Sequence, residues 1–226
     1  MPQDAPARPR RGDTARTALL ETAERLFAER GIDAVSLRDV SAVAGQRNHS
    51  AAQYHFGDRQ GLVAAVYEAR MRDVDDRRRA LLASLDRDGR AHDLRGLVEA
   101  AALPLLDVVA ETDGWYARFL ARTRWDPLAW QVVVSLASSG SFQDVVVRVD
   151  RALRDRPAAV RRSRIDQLLT LVIGTLAGWE GAPDRGEVRL SQELLATELL
   201  ATGVALLTAP ADHDTRETLE PTGAIA

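Results

Sequence analysis

The sequence predicts an all-α protein, with a small N-terminal three-helix unit carrying a helix-turn-helix, followed by a larger helical bundle. Three observations predict it. From Thr14 to Thr208 apolar residues recur at spacings of three and four, and strand-like alternation is rare. Glycine and proline mark most of the joints between these stretches. Two stretches near the C-terminus, RRSRIDQLLTLVIGTLAGWE and SQELLATELLATGVALLT, are sustained helical stripes. With 226 residues, 46% of them hydrophobic, the chain has enough apolar material for one small and one larger domain. The expected division is an N-terminal arm over 1–13, the three-helix unit over 14–61, the bundle over 62–208 and a disordered tail over 209–226.

The first helix is expected from Thr14 to Arg30, with Leu19, Ala23, Leu26 and Phe27 on one stripe and Gly31 as its stop. Ser36 opens a short second helix, with Asp39 three residues on completing a capping-box pair. Gly45 ends it. Asn48 is the expected N-cap of a third helix reaching Phe56, in which Ala52 and Phe56 face inward and His49, Ser50, Gln53 and Tyr54 face out. Two short helices joined by a tight glycine-containing turn make a helix-turn-helix, whose slim second helix suits the major groove of DNA. A long helix over Leu62 to Asp86 links this unit to the bundle, and a further helix over His92 to Thr112 contains Pro104, an expected kink. Helices follow near Trp115 to Thr123 and Asp144 to Arg154, with residues 126–141 left unassigned, and the two strong stripes close the fold over 157–180 and 191–208.

The formal charge of −3 argues against a nucleic-acid partner only if the charge is evenly spread. Residues 1–60 hold nine arginines against eight acids, so any basic surface must arise from geometry. Cysteine is absent, and the four histidines, His49, His55, His92 and His213, are too scattered for a ligand set, so no metal and no cofactor is expected. No segment is apolar for long enough to cross a bilayer, and the N-terminus lacks the apolar core of a secretory signal; a cytoplasmic protein without a membrane partner is the expectation.

Residues 14–62 resemble the DNA-binding domain of the tetracycline-repressor-like (TetR) transcriptional regulators. The resemblance is carried by TALLETAERLFAERGIDAVSLRDVSAVAG, then YHF, then DRQGL, in that order and spacing. Beyond Leu62 it is architectural. It implies a homodimeric DNA-binding regulator, most often a repressor, released from a pseudo-palindromic operator by a small effector. Matched backward from the Tyr-His-Phe ending, the resemblance implies base contacts at His49, Ser50 and Ala51, base or phosphate contacts at Gln53 and Tyr54, a phosphate contact at Arg59 and a DNA-facing position at Arg38. Two departures stand out. One extra residue lies between Gly45 and Tyr-His-Phe, which alters either the turn or the helix start and leaves the register of Arg47, Asn48 and His49 open. Gln53 stands where the family often has a tyrosine.

Each residue also has a plainer role. Arg38 and Arg59 are the kind of arginines that ordinarily sit solvated on a helix, Asn48 is a helix cap whether or not DNA is bound, and His55 is read as packing between helices. Arg8, Arg10 and Arg11 form either a groove-following arm or an unstructured leader, the leader being favoured. In the bundle, Trp115, Phe119, Trp125 and Trp130 are candidate walls of a site for an apolar or aromatic effector, with Arg122 or Arg118 as an anchor for an anionic group; aromatics at helical spacing are more often simple core. Dimerisation is assigned to the last two helices, through Leu168, Val172, Leu176, Trp179, Leu195 and Leu199. No catalytic arrangement stands out: there is no nucleophile-base order, metal spacing or phosphate-cradling loop, so an enzyme is not expected. The rival reading is a helical protein-binding module that ignores DNA.

Overall fold

The computed structural model describes residues 11–112, 114–138 and 140–210, which form ten α-helices and one short 3₁₀ turn, with no strand among them. Arg8, Arg10 and the tail beyond Pro210 lie outside the described residues. The head is α1 (Arg11–Arg30), α2 (Leu37–Val43) and α3 (Ala51–Phe56); the body is built from α4 (Arg59–Arg87), α5 (Leu94–Thr112), α6 (Tyr116–Trp125), α7 (Pro127–Ala137), α8 (Ser141–Ala152), α9 (Ala158–Glu180) and α10 (Gln192–Thr208).

The boundaries follow from caps. Helix α1 starts at Arg11 rather than Thr14 and ends at Gly31, whose φ of 88° is a left-handed value that a side chain would strain. Helix α4 starts at Arg59, ahead of the expected Leu62, because the Asp58 carboxylate accepts the Gly61 N–H at 2.8 Å and caps it there. The unassigned stretch 126–141 contains α7, which the same logic explains: the Asp126 carboxylate accepts the Ala129 N–H at 2.8 Å and Pro127 occupies the first turn. Helix α5 continues through Pro104 to Thr112.

Head and body share one apolar core. Leu19, Leu26 and Phe27 of α1 are fully buried, and the Phe27 ring lies 6.0 Å from that of Phe119 in α6. Aromatic burial of this kind stabilises by several kcal/mol; truncation of such a ring costs about 3–5 kcal/mol. Two buried charges finish helix ends. Glu180, at the end of α9, accepts the Ala117 and Arg118 N–H groups at 3.1 and 2.9 Å, supplying α6 with the N-terminal cap that Trp115 lacks. Burial pushes the Glu180 carboxyl upward, against the hydrogen bonds that lower it. Arg164 donates to the Leu207 carbonyl at 2.7 Å, satisfying the last turn of α10.

Candidate functional site

The α2–α3 unit is held by hydroxyl groups at each end of α2. The Ser36 hydroxyl accepts the Asp39 N–H at 3.1 Å while the Ser36 N–H donates to the Asp39 carboxylate at 3.0 Å, the expected reciprocal cap. The Ser36 hydroxyl, which donates to the Asp39 carboxylate at 2.6 Å, and the Ser36 N–H hold that carboxyl below its ordinary value. Ser41, buried in α2, donates to the Leu37 carbonyl at 3.0 Å, and its oxygen accepts the Ala52 N–H at 3.0 Å. That bond ties α3 to α2 at the one position of α3 that is fully buried, Ala52. Sequence reasoning overlooked Ser41, although a hydroxyl one turn after Leu37 on the inward side of a short helix is the clue it offered.

The turn between the helices differs from expectation. Asn48 is not the N-cap: α3 is six residues long and begins at Ala51, with Ser50 at the cap position making no side-chain bond. The Asn48 side chain instead accepts the Ser50 N–H at 3.0 Å, closing a local turn ahead of the helix. The extra residue is thus accommodated in the Gln46–Ser50 turn, after Gly45 takes a φ of 68°. Past the turn the outward face matches the prediction. Arg38, Arg47, Asn48, His49, Ser50, Gln53 and Arg59 are all exposed, and Tyr54 is 86% exposed, the side chain of an aromatic residue standing in solvent. Arg38 and Arg47 make no hydrogen bond or ion pair among the described residues. Arg59 pairs with Asp33 at 3.1 Å, but both are exposed, so the pair is weak and exchangeable. His55 is half-buried, its ring edge-on to Tyr54 at 5.3 Å and 6.0 Å from that of Phe56, both neighbours on α3 rather than residues of another helix.

The body contains a cavity of about 190 Å³ between α4, α5, α6, α7, α8 and α9. Its wall is apolar, including Leu105, Trp130, Val133, Phe142, Leu168 and Val172, with Tyr67 and Arg78 as its largest polar-tipped side chains. Arg78 is 3% exposed and donates to the Ala100 carbonyl at 2.9 Å, to Asp75 at 3.2 Å and to Ser141 at 3.3 Å. Desolvation lowers the guanidinium's affinity for its proton, and Asp75 opposes that shift.

Residues 19–66 match the family model for bacterial regulatory proteins of the tetR family. Over these residues the chain is similar to that family. Two solved structures share its fold along most of their length. One is a protein from Rhodococcus sp. assigned to the TetR-family transcriptional regulators, 19% identical, covering 86% of this chain and 100% of its own, with a TM-score of 0.56. The other is a TetR family transcription regulator from Marinobacter aquaeolei VT8, 19% identical, covering 87% of this chain and 96% of its own, with a TM-score of 0.52. Among curated proteins none matches the chain significantly.

In the body only one of the five residues expected at an effector site reaches the cavity, Trp130. Phe119 is core, packed against Phe27 and Tyr116. Trp115 lies beneath the Arg118 guanidinium at 3.7 Å. Trp125 is 76% exposed. Arg122 donates to the Ala28 carbonyl at 3.2 Å, a strut between body and head, while Arg118 is consumed by Glu180 and Asp184. Aromatic clustering in sequence failed here because consecutive helical turns point to different neighbours.

The residues expected at the dimer interface need the same correction. Leu168, Val172, Leu176, Leu195 and Leu199 are buried within the protomer, and Leu168 and Val172 line the cavity. Trp179 is half-buried, its indole N–H bonded to the Leu190 carbonyl at 2.8 Å. The strongest apolar stripe of a helix is drawn to its own core, leaving the weaker stripe for a partner. On α9 and α10 the outward positions include Gly174, Leu194, Ala201 and Ala205.

One further buried acid joins the tetR-type head to the body. Glu24 of α1 accepts the Trp115 N–H at 3.0 Å and the Arg70 Nε–H at 3.2 Å. Its position was legible as an anomaly: Leu20, Glu24 and Phe27 fall on one helical face, which puts a carboxylate among core residues.

Proposed function

We propose that this chain is a DNA-binding transcriptional regulator acting as a homodimer, a repressor whose two α3 helices enter successive major grooves of a pseudo-palindromic operator. The observation that carries the reading is the outer face of α2–α3, where Arg38, Gln53 and an almost fully exposed Tyr54 have no structural work within the chain. Arg38, Tyr54 and Arg59 hold phosphates, fixing the register, while Gln53 and the Arg47–Ser50 turn approach base edges. Arg59 exchanges its exposed Asp33 partner for phosphate at little cost. The division of labour falls near residue 61, with the cytoplasm as the compartment where such a partner is met.

Dimerisation runs through the outward faces of α9 and α10, where Gly174, Ala201 and Ala205 let backbones approach and Leu194 supplies apolar area. Two-fold symmetry then sets half-sites about 34–36 Å apart, or a multiple. An apolar effector in the cavity touches Tyr67, Met71 and Arg78 of α4, the helix that also packs on the head through Leu62 and Val66. Its leverage on DNA affinity is its differential affinity for the two head spacings, about 1–3 kcal/mol. Junction contacts at Glu24 and Arg122 carry the change in α4 and α6 to α1.

Genome-wide footprinting with the wild-type chain and with an Arg38→Ala, Tyr54→Ala double variant tests this. Protected palindromes lost in the variant, with unchanged dimer mass, support the reading. Equal behaviour of both proteins, with retained protein partners, would favour a protein-binding module instead.

A further inference from the structure

The cavity has an arginine in its wall, which at first sight asks for an anionic ligand. The charge balance around it argues otherwise. Arg78 is bound to Asp75, and Asp75 also accepts the Ser141 hydroxyl at 2.5 Å and lies 3.9 Å from Arg79. Arg79 is in turn held by Asp76 at 2.5 Å. Arg79 and Asp76 pair off in solvent, so the charge at this end of the cavity is that of Arg78, which the Asp75 carboxylate already balances.

Hydrogen-bonding capacity remains after the charges cancel. Arg78 uses Nε and one terminal nitrogen, Nη1, leaving Nη2 with no hydrogen-bond partner among the described residues. The Tyr67 hydroxyl likewise donates to no described group, while its backbone carbonyl accepts the Tyr116 hydroxyl at 3.0 Å. Both side chains are more than nine-tenths buried and both line the cavity. Burial and the Asp75 carboxylate push the Tyr67 hydroxyl up to about 12, so it stays protonated and able to donate. A donor that no protein group takes up is available to a ligand acceptor in the cavity. A ligand carboxylate would set a second negative charge beside one balanced, largely buried pair.

We propose that the cavity takes a small, uncharged, ring-sized apolar ligand carrying one hydrogen-bond acceptor, such as an aryl ketone, received by Arg78 Nη2 and the Tyr67 hydroxyl. This rests on the reading of the cavity as the effector site and adds the chemical class. Size agrees: a cavity of about 150 Å³ holds a benzene ring, and this one measures about 190 Å³.

The test is calorimetric titration of the full chain at pH 8 with three probes of one shape, 4-ethylacetophenone, 4-ethylbenzoate and 1,4-diethylbenzene. The ketone is expected to bind about fivefold tighter than the hydrocarbon, the gain of a neutral hydrogen bond, and about tenfold tighter than the carboxylate. Tyr67→Phe removes only the hydroxyl, and it should cut the ketone's advantage to about twofold while leaving diethylbenzene binding unchanged. The proposal is overturned if the benzoate binds tightest, if the three probes bind alike, or if none binds. Failure here with operator footprints intact sinks the ligand assignment alone; the expected ranking in a chain that footprints nowhere sinks the regulator reading and leaves the cavity chemistry standing.

Discussion

The head and the body place their polar side chains in opposite ways. In the head Arg38, Arg47, Gln53 and Tyr54 stand outside, and its two buried polar groups, Ser41 and Glu24, are spent on joining helices. In the body Arg78, Arg164 and Glu180 are drawn inside and each is tied to named carbonyls, carboxylates or amides. On the proposed reading the difference shows where each region would meet its partner: a surface for a polyanion keeps donors solvated and interchangeable, whereas a pocket for a small apolar molecule satisfies its polar groups first and leaves only what the ligand will use.

The largest expected effect tests whether the two regions are one folding unit. Phe27→Ala and Phe119→Ala sit on opposite sides of the junction, and each should lower the unfolding free energy by about 3–5 kcal/mol in denaturant titration. A single shifted transition would fit a shared core; two separated transitions would break it.

Operator binding sharpens the contrast next. Loss of Arg38 or Tyr54 should weaken operator affinity by about 1–3 kcal/mol per half-site, with unfolding unchanged within about 0.5 kcal/mol, measured by gel shift alongside melting. Ser41→Ala should do the reverse. It strands the buried Ala52 N–H, costs about 1–3 kcal/mol of stability and weakens DNA binding only by loosening α3.

Acid is expected to act on the body through exposed ties. Arg148 and Arg77 hold the Asp86 and Glu111 carboxyls below their ordinary values. A carboxyl lowered in the folded state contributes stability that is present above its unfolded pKa and lost as pH falls through the folded one. Melting temperature should therefore decline below about pH 4, and Arg148→Met, which removes one tie, should make that decline shallower. The smallest effect is at Asp33→Ala, which frees Arg59: stability should move by no more than about 0.5 kcal/mol, and DNA affinity should rise slightly.

Much of the head was legible because its signals are local. Ser36 and Asp39 form a cap across three residues, Gly31 and Gly45 take the left-handed turns that glycine allows, and the Ala52 side faces in because Gln53 and Tyr54 cannot. The Asn48 cap misplaced the start of α3 because an Asn side chain can close a turn as readily as it caps a helix. The cavity was less legible, since its walls come from six helices and only Trp130 was anticipated. One clue did exist in α4: Val74, Arg78 and Leu82 are four apart, so Arg78 stands on the apolar stripe.

The run Arg77-Arg78-Arg79 shows where the two kinds of information part. Helical periodicity, read from sequence, determined that these three arginines point in three directions, just as it determined the all-helical class and the short helices of the head. Only the tertiary structure decided what lay beyond their own helix: Arg77 meets Glu111 of α5 and Arg78 is buried at the cavity against the Ala100 carbonyl and Ser141, while Arg79 keeps Asp76, a neighbour on α4, in solvent. The physical reason is that a helix sets the angles between its own side chains, while the dielectric and partners each one meets are set by helices that the chain brings in from far along its length.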